Sequence, residues 1–157
     1  LPYMRRDEGD IAEKVVAAID EGIERQRVRF RQADACALPP ELVGYDAVLL
    51  ANLLCRLPSP KACLGRLGGP RGLVRPGGLA VIVSPYTWME EYTPREVWLG
   101  GFEKNGQPVR AHETLRQIMG EDFELLHESD MPLLIREHAR RFQYIVSHAM
   151  VWQRRTS

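Results

Sequence analysis

The chain has 157 residues, of which 45% are hydrophobic and 27% charged, the balance expected of one soluble globular domain with a core of ordinary richness. Lys plus Arg and Asp plus Glu number 21 each, which argues against nucleic acid as a partner because phosphate binding draws on a basic excess. No apolar run approaches the roughly 20 residues that span a bilayer, so no membrane is expected either, and a small-molecule substrate becomes the default. Cys36, Cys55 and Cys63 lack C-x-x-C spacing, which speaks against a zinc site or a disulfide framework and for a reducing cytoplasm. Four scattered histidines give no metal-ligand spacing. Leu1-Pro-Tyr3 is neither a start methionine nor a signal peptide, so the chain is expected to be a segment of a longer product.

Asp10 with Glu13 makes a capping box, and Ile11, Val15, Ile19 and Ile23 then recur at helical spacing, which predicts a helix to about Arg25. Val28 and Phe30 alternate with arginine and predict a short strand that delivers Asp34 and Ala35 to its carboxyl end, where ligands of open α/β sheets bind. The stretch 45–86 says most. Asp46-Ala-Val-Leu-Leu50 and Leu79-Ala-Val-Ile-Val83 read as buried parallel strands joined by a helix and the turn Arg75-Pro-Gly-Gly78. The joining helix opens at Ser59 and Pro60 as N-cap and N1, turns Leu64 and Leu67 inward, and stops at Gly68-Gly-Pro70.

Beyond Ser84 the aromatic run Pro85-Tyr-Thr-Trp88 leads into a loop or helix through Trp98. Asn105-Gly106 marks a hairpin turn, suited to a lid over the site. A helix is expected over residues 113–119, and strands over 123–128 and 143–152. In the second of these, Tyr144, Val146, His148, Met150 and Trp152 share one face. The fold class is therefore α/β: a partial Rossmann-like sheet with helices on both faces and a closing antiparallel strand pair. No G-x-G follows an early apolar strand.

This order resembles the carboxyl-terminal two thirds of class I methyltransferases, without the first two strands and the glycine-rich loop. Three strings carry a closer resemblance: Ala51-Asn-Leu-Leu-Cys-Arg-Leu-Pro58, Ser84-Pro-Tyr-Thr-Trp-Met-Glu-Glu-Tyr-Thr-Pro-Arg-Glu-Val-Trp-Leu-Gly-Gly101, and Asp130-Met-Pro-Leu-Leu-Ile-Arg-Glu-His-Ala-Arg-Arg-Phe-Gln-Tyr-Ile-Val-Ser-His148. Together they resemble the mercaptohistidine N-methyltransferase domain of ovothiol-biosynthesis enzymes. The resemblance implies a single incomplete methyltransferase domain over residues 1–157, S-adenosylmethionine as cofactor, a mercaptohistidine as substrate, and a fused or neighbouring iron-dependent sulfoxide synthase as partner. It also implies that an uncapped sheet edge leaves the chain marginally folded and inactive alone.

The resemblance places Asp34 and Ala35 at the adenine and Asn52 at the methionine part of the cofactor, with Asp34 as a plain turn residue the alternative. Methyl transfer needs alignment more than covalent work, with about 7 to 11 kcal/mol available from proximity. A neutral imidazole is nucleophilic enough, and an acceptor for its other N–H would stabilise the cation that forms. Glu90, Glu91, Glu137, His138 and His148 are available for that, with Glu137, His138 and His148 the catalytic candidates. Tyr86 and Trp88 could stack on the ring, Arg136 could clamp a carboxylate, and Glu90 completes the expected substrate contacts. Ordinary aromatic packing and a solvated helix face over residues 136–141 stand as the alternatives. Another small-molecule methyltransferase, or a non-catalytic remnant serving as an interaction module, would have the same sheet.

Overall fold

The computed structural model describes residues 1–156. In chain order its strands are β1 (Pro2–Glu8), β2 (Ile11–Val16), β3 (Tyr45–Ala51), β4 (Val74–Ser84), β5 (Phe102–Lys104), β6 (Gln107–Val109), β7 (Phe123–His138) and β8 (Arg141–Arg154). The α-helices are α1 (Pro60–Gly65) and α2 (Ala111–Met119). Two units form: residues 33–131 with 146 onward, and residues 1–32 with 132–145.

The larger unit is built on a sheet of order β3-β4-β8-β7. β3 and β4 are parallel, Val48 opposite Ala80 and Leu50 opposite Ile82, as their continuous apolar sequences predict. β8 runs antiparallel to β4, with Met150 opposite Ile82 and His148 opposite Ser84. The last strand thus inserts between β4 and β7 instead of adding at the edge. Arg75-Pro-Gly-Gly78 lies within β4, where the register with β3 shifts between Tyr45 and Ala47. Gly78 is required there because a Cβ would stand 2.9 Å from the Asp46 carbonyl oxygen.

Between β3 and β4 the chain forms α1, with Pro60 at its start and the Ser59 carbonyl accepting from the Cys63 N–H. The Ser59 hydroxyl makes no capping bond. Leu64 and Leu67 are buried as expected, and they join Leu115 and Met119 of α2 in one cluster with Leu50, Ala80, Ile82, Met150 and Trp152. Every strand residue named in that cluster lies on one face of the sheet. On the other face Leu49 is 63% exposed, and Val81 and Val151 are half-buried. Helices on both faces are therefore not observed: the described residues form two α-helices, and both pack into the same core. Residues 17–44, which precede β3, supply only turns and the 3-10 turn Arg25–Arg27.

Asn105 (φ 53°) and Gly106 (φ 74°) form the tight turn between β5 and β6, which is the pair of left-handed residues that Asn-Gly provides. The helix expected over residues 113–119 starts two residues earlier, at Ala111. β7 and β8 are far longer than expected, and their outer ends belong to the smaller unit.

In the smaller unit the helix expected over residues 11–25 is replaced by the hairpin of β1 and β2. Gly9 takes φ 51° in its turn, and β-branched Ile11, Val15 and Val16 favour the extended form. Glu13, expected in a capping box, instead pairs with Arg5 across the hairpin. Gly22 accepts no helix either, since its N–H is taken by the Asp20 carboxylate at 2.7 Å. The strand expected at residues 28–30 is irregular, and Phe30 is 96% exposed; an isolated extended segment has no ladder to hold it. Residues 136–141 form the end of a strand hairpin, not a helix face. Among the described residues no helix is long and apolar enough to cross a membrane.

Candidate functional site

β3 and β4 end side by side, and the chain leaves each through a residue in the left-handed region, Asn52 (φ 52°) and Tyr86 (φ 53°). Asparagine tolerates this backbone, whereas for tyrosine it costs about 1 to 2 kcal/mol. Such strain persists where surrounding bonds fix it. The Tyr86 N–H donates to the Ser84 hydroxyl oxygen at 3.1 Å, and the Asn52 N–H donates to the Val83 carbonyl at 2.8 Å. The Ser147 hydroxyl donates to the Asn52 side-chain oxygen at 3.2 Å, which ties β8 to the end of β3.

The tyrosine hydroxyl that this backbone presents lies 2.8 Å from His148 Nδ1. His148 sits directly across from Ser84 in the ladder, its side chain 20% exposed. On its other side, Nε2 is 4.0 Å from a Glu128 carboxylate oxygen of β7. Both Glu128 oxygens accept from Arg116 Nη2 of α2 at 2.5 Å. The His112 ring meets His148 edge-on, centroids 5.9 Å apart. Burial, reinforced by the Glu128 charge, pushes the Tyr86 phenol up to about 12, so it stays a protonated donor across the physiological range. These residues, with Ser84, Asp130 and Val146, line a cleft of about 370 Å³. Two carboxylates stand there against one guanidinium, which favours a ligand that carries N–H groups or positive charge.

Of the residues expected in a site, the structure brings Tyr86 and His148 together. Trp88 goes to packing: it stacks on Trp98 at 6.3 Å, and Gly101 lies against it so closely that a Cβ would be 3.2 Å from its ring. Glu90 and Glu91 are exposed. Asp34 takes the turn role, its carboxylate accepting the Cys36 N–H at 2.8 Å, while Ala35 packs half-buried against the core. Arg136, Glu137 and His138 lie in the smaller unit and find partners on their own hairpin: the His138 carbonyl for Arg136, Arg141 and Gln143 for Glu137, the Arg140 N–H for His138. All three lie on β7, a strand where a helix was expected. A cleft of about 450 Å³ in that unit is lined by Arg6, Asp7, Glu8, Gly9, His138 and Arg140, all exposed except the half-buried His138.

Arg116, His112, Glu128 and Asp130 carry no local signal of their own. Two spacings hold what trace there is: His112 and Arg116 stand four apart on one helix face, and Glu128 and Asp130 share one side of a strand.

The fold has counterparts among solved structures. The fold is methyltransferase-like. One similar structure is a SAM-dependent methyltransferase from Methanosarcina mazei, with TM-score 0.50 and 13% identity over 80% of this chain. Another, described for the conversion of a disulfide bond into a thioacetal group during echinomycin biosynthesis, gives TM-score 0.52 and 16% identity over 80% of this chain. The aligned part is 66% of the first and 55% of the second. No protein-family model and no curated protein matches the sequence.

Proposed function

We propose that this chain is the acceptor-binding part of an S-adenosylmethionine-dependent methyltransferase, and that its acceptor is an imidazole nitrogen of a mercaptohistidine, as in ovothiol biosynthesis. One observation carries the reading: a Tyr86 and His148 pair, held by Glu128 and Arg116, at the carboxyl ends of the parallel strands of a methyltransferase-like sheet. Open α/β sheets place their ligands at these ends. The three quoted sequence strings supply the choice of acceptor.

The residues present fit the cofactor in part. Asn52 at the end of β3 and the exposed Asp34 carboxylate suit the amino groups of such a molecule, but no glycine-rich loop follows a strand among the described residues. When bound, S-adenosylmethionine supplies a methyl group on a sulfonium. The chain's own residues hold the acceptor: an imidazole near pKa 6.5 is mostly neutral at pH 7, the Tyr86 hydroxyl can meet its ring N–H, and Glu128 and Asp130 favour the positive charge that builds on it. A sulfoxide synthase that makes the thiol-bearing substrate, fused or neighbouring in the cytoplasm, completes the proposal.

The test is methyl transfer by the full gene product, with labelled methyl donor and either mercaptohistidine or histidine. Mercaptohistidine is expected to turn over at least about tenfold faster, the discrimination of roughly 1.4 kcal/mol that one good contact supplies. Label in neither product, with S-adenosylhomocysteine binding intact, removes the acceptor assignment. A different outcome, no binding of S-adenosylhomocysteine at all, favours the interaction-module reading, which the bare Leu49 face of the sheet supports.

A further inference from the structure

Arg116, Glu128, His148 and Tyr86 come from four separate elements, yet their polar atoms follow one another in a line: guanidinium to carboxylate at 2.5 Å, carboxylate to His148 Nε2 at 4.0 Å, His148 Nδ1 to the Tyr86 hydroxyl at 2.8 Å. Each link constrains the next. The Glu128 charge is held in place by Arg116, and a fixed negative charge facing Nε2 favours the tautomer with the proton on that nitrogen. Nδ1 then has only a lone pair. The Tyr86 O–H must donate to it, so the phenol oxygen has no proton left to offer and faces the cleft as an acceptor. The remaining charged and titratable groups that line the cleft with His148 are His112 on α2, its ring centroid 5.9 Å away, and Asp130 on β7; Asp130 adds negative charge to that of Glu128.

We propose that these four residues form a polarised chain whose Tyr86 oxygen selects a ligand with a ring N–H and relays that proton to His148. This rests on the methyl-transfer reading and adds to it a direction and a proton path. As the acceptor ring gains positive charge, its N–H bond breaks and the proton passes to the Tyr86 oxygen while the Tyr86 proton passes to His148 Nδ1. One N–H bond is lost and one formed, Tyr86 begins and ends as a phenol, and His148 becomes an imidazolium facing Glu128. Methyl transfer from a sulfonium donor leaves the ring needing to lose one proton, so the proton count closes. Tyr86 is the residue that touches the ligand; Glu128 and Arg116 are positioning residues that set the tautomer.

Nitrogen-15 spectra of the histidine rings in this chain read the tautomer without any turnover. The expected result is a protonated Nε2 and a bare Nδ1 on His148, with Tyr86→Phe shifting Nδ1 and Glu128→Gln lowering the share of this tautomer. A proton on Nδ1 in the unsubstituted chain, or an Nδ1 signal indifferent to Tyr86→Phe, overturns the proposal. In the full gene product Tyr86→Phe should lower kcat by about a hundredfold, the scale of one lost acid-base group, with KM changed less than about threefold; Glu128→Gln should move the acid limb of the kcat profile. Unchanged kcat in Tyr86→Phe with mercaptohistidine still methylated sinks the relay and spares the function. A correct tautomer in a protein that methylates no imidazole does the reverse for the function, and the proposal of proton transfer from an acceptor ring falls with it.

Discussion

Leu49 and Leu50 are neighbours on β3 that face opposite sides of the sheet, the first 63% and the second 7% exposed. Substituting each by alanine therefore weighs the two faces separately. Leu50 packs in the cluster with Ile82 and the helices, so Leu50→Ala removes nearly a whole buried side chain and leaves a cavity; such changes cost about 2 to 5 kcal/mol, and about 3 is expected here. Leu49 hides little more than a third of its surface. With roughly 1.5 to 3 kcal/mol for complete burial, Leu49→Ala should cost about 0.5 to 1. The difference of about 2 kcal/mol is read from urea midpoints, with an unchanged slope showing that the unfolded state is the same. Equal losses within about 0.5 kcal/mol would mean that the Leu49 face is covered in solution, and the one-sided core described above would be wrong.

Three further outcomes test other parts of the structure. Leu49→Lys should leave the unfolding midpoint nearly unchanged and lower light scattering at high protein concentration, because lysine protects an open strand edge; unaltered association would place the sticky surface elsewhere. Gly100→Ala should destabilise by at least about 2 kcal/mol, since the new Cβ would lie 2.2 Å from the Ala111 backbone nitrogen at the start of α2; a neutral effect in thermal melts would show that the two segments separate freely. Burial raises Tyr86 from 10.0 to about 12 and Cys63 from 9.0 to about 11. Both are raised, so their contribution is complete below pH 9 and is lost as the unfolded chain ionises first, between about pH 9 and 12. Stability should be flat to pH 9 and fall above it, with Tyr86→Phe flattening the fall between 10 and 12; an identical alkaline slope in that variant would put the phenol in water.

Where the sequence is read correctly, one physical signal dominates locally. Residues 46–50 and 79–83 are continuous apolar runs too short for helices and bounded by turn residues, and they form the parallel pair. Asn105-Gly106 can hardly be anything but a tight turn. Residues 11–23 mislead because Ile11, Val15, Ile19 and Ile23 satisfy the helical period, yet Ile11, Ile19 and Ile23 are more than half exposed; a period measures a face and not whether anything packs on it. The absence of a neighbouring strand likewise leaves Val28 and Phe30 without the ladder that their alternation anticipates. At the site, Tyr86 is legible because it follows a strand end, and His148 because the β8 alternation puts it beside Met150 and Trp152. Glu128 and Arg116 are not, since their meeting depends on α2 and β7 packing side by side, which no short window contains.

Stability and function are unevenly placed in this molecule. The Tyr86 and His148 pair stands on strands whose registers are fixed from both sides, Ser84 opposite His148 and Val83 between Ala51 and Ala149. The left-handed tyrosine is held there by the Ser84 hydroxyl below it, and by the Arg56 guanidinium, which donates to the Thr87 carbonyl at 2.6 Å and lies over the Tyr92 ring at 5.1 Å. About 1 to 2 kcal/mol of backbone strain is small against a core that includes Trp152, Met150, Ile82 and Leu115. Asp34 and Ala35 sit in an unstrained turn, closed by the Cys36 N–H on the Asp34 carboxylate and packed on the core through Ala35. A strained residue can persist only where its surroundings over-determine it. The Tyr86 and His148 cluster therefore has its geometry before any ligand arrives, and a ligand that engages it is spared the cost of ordering it.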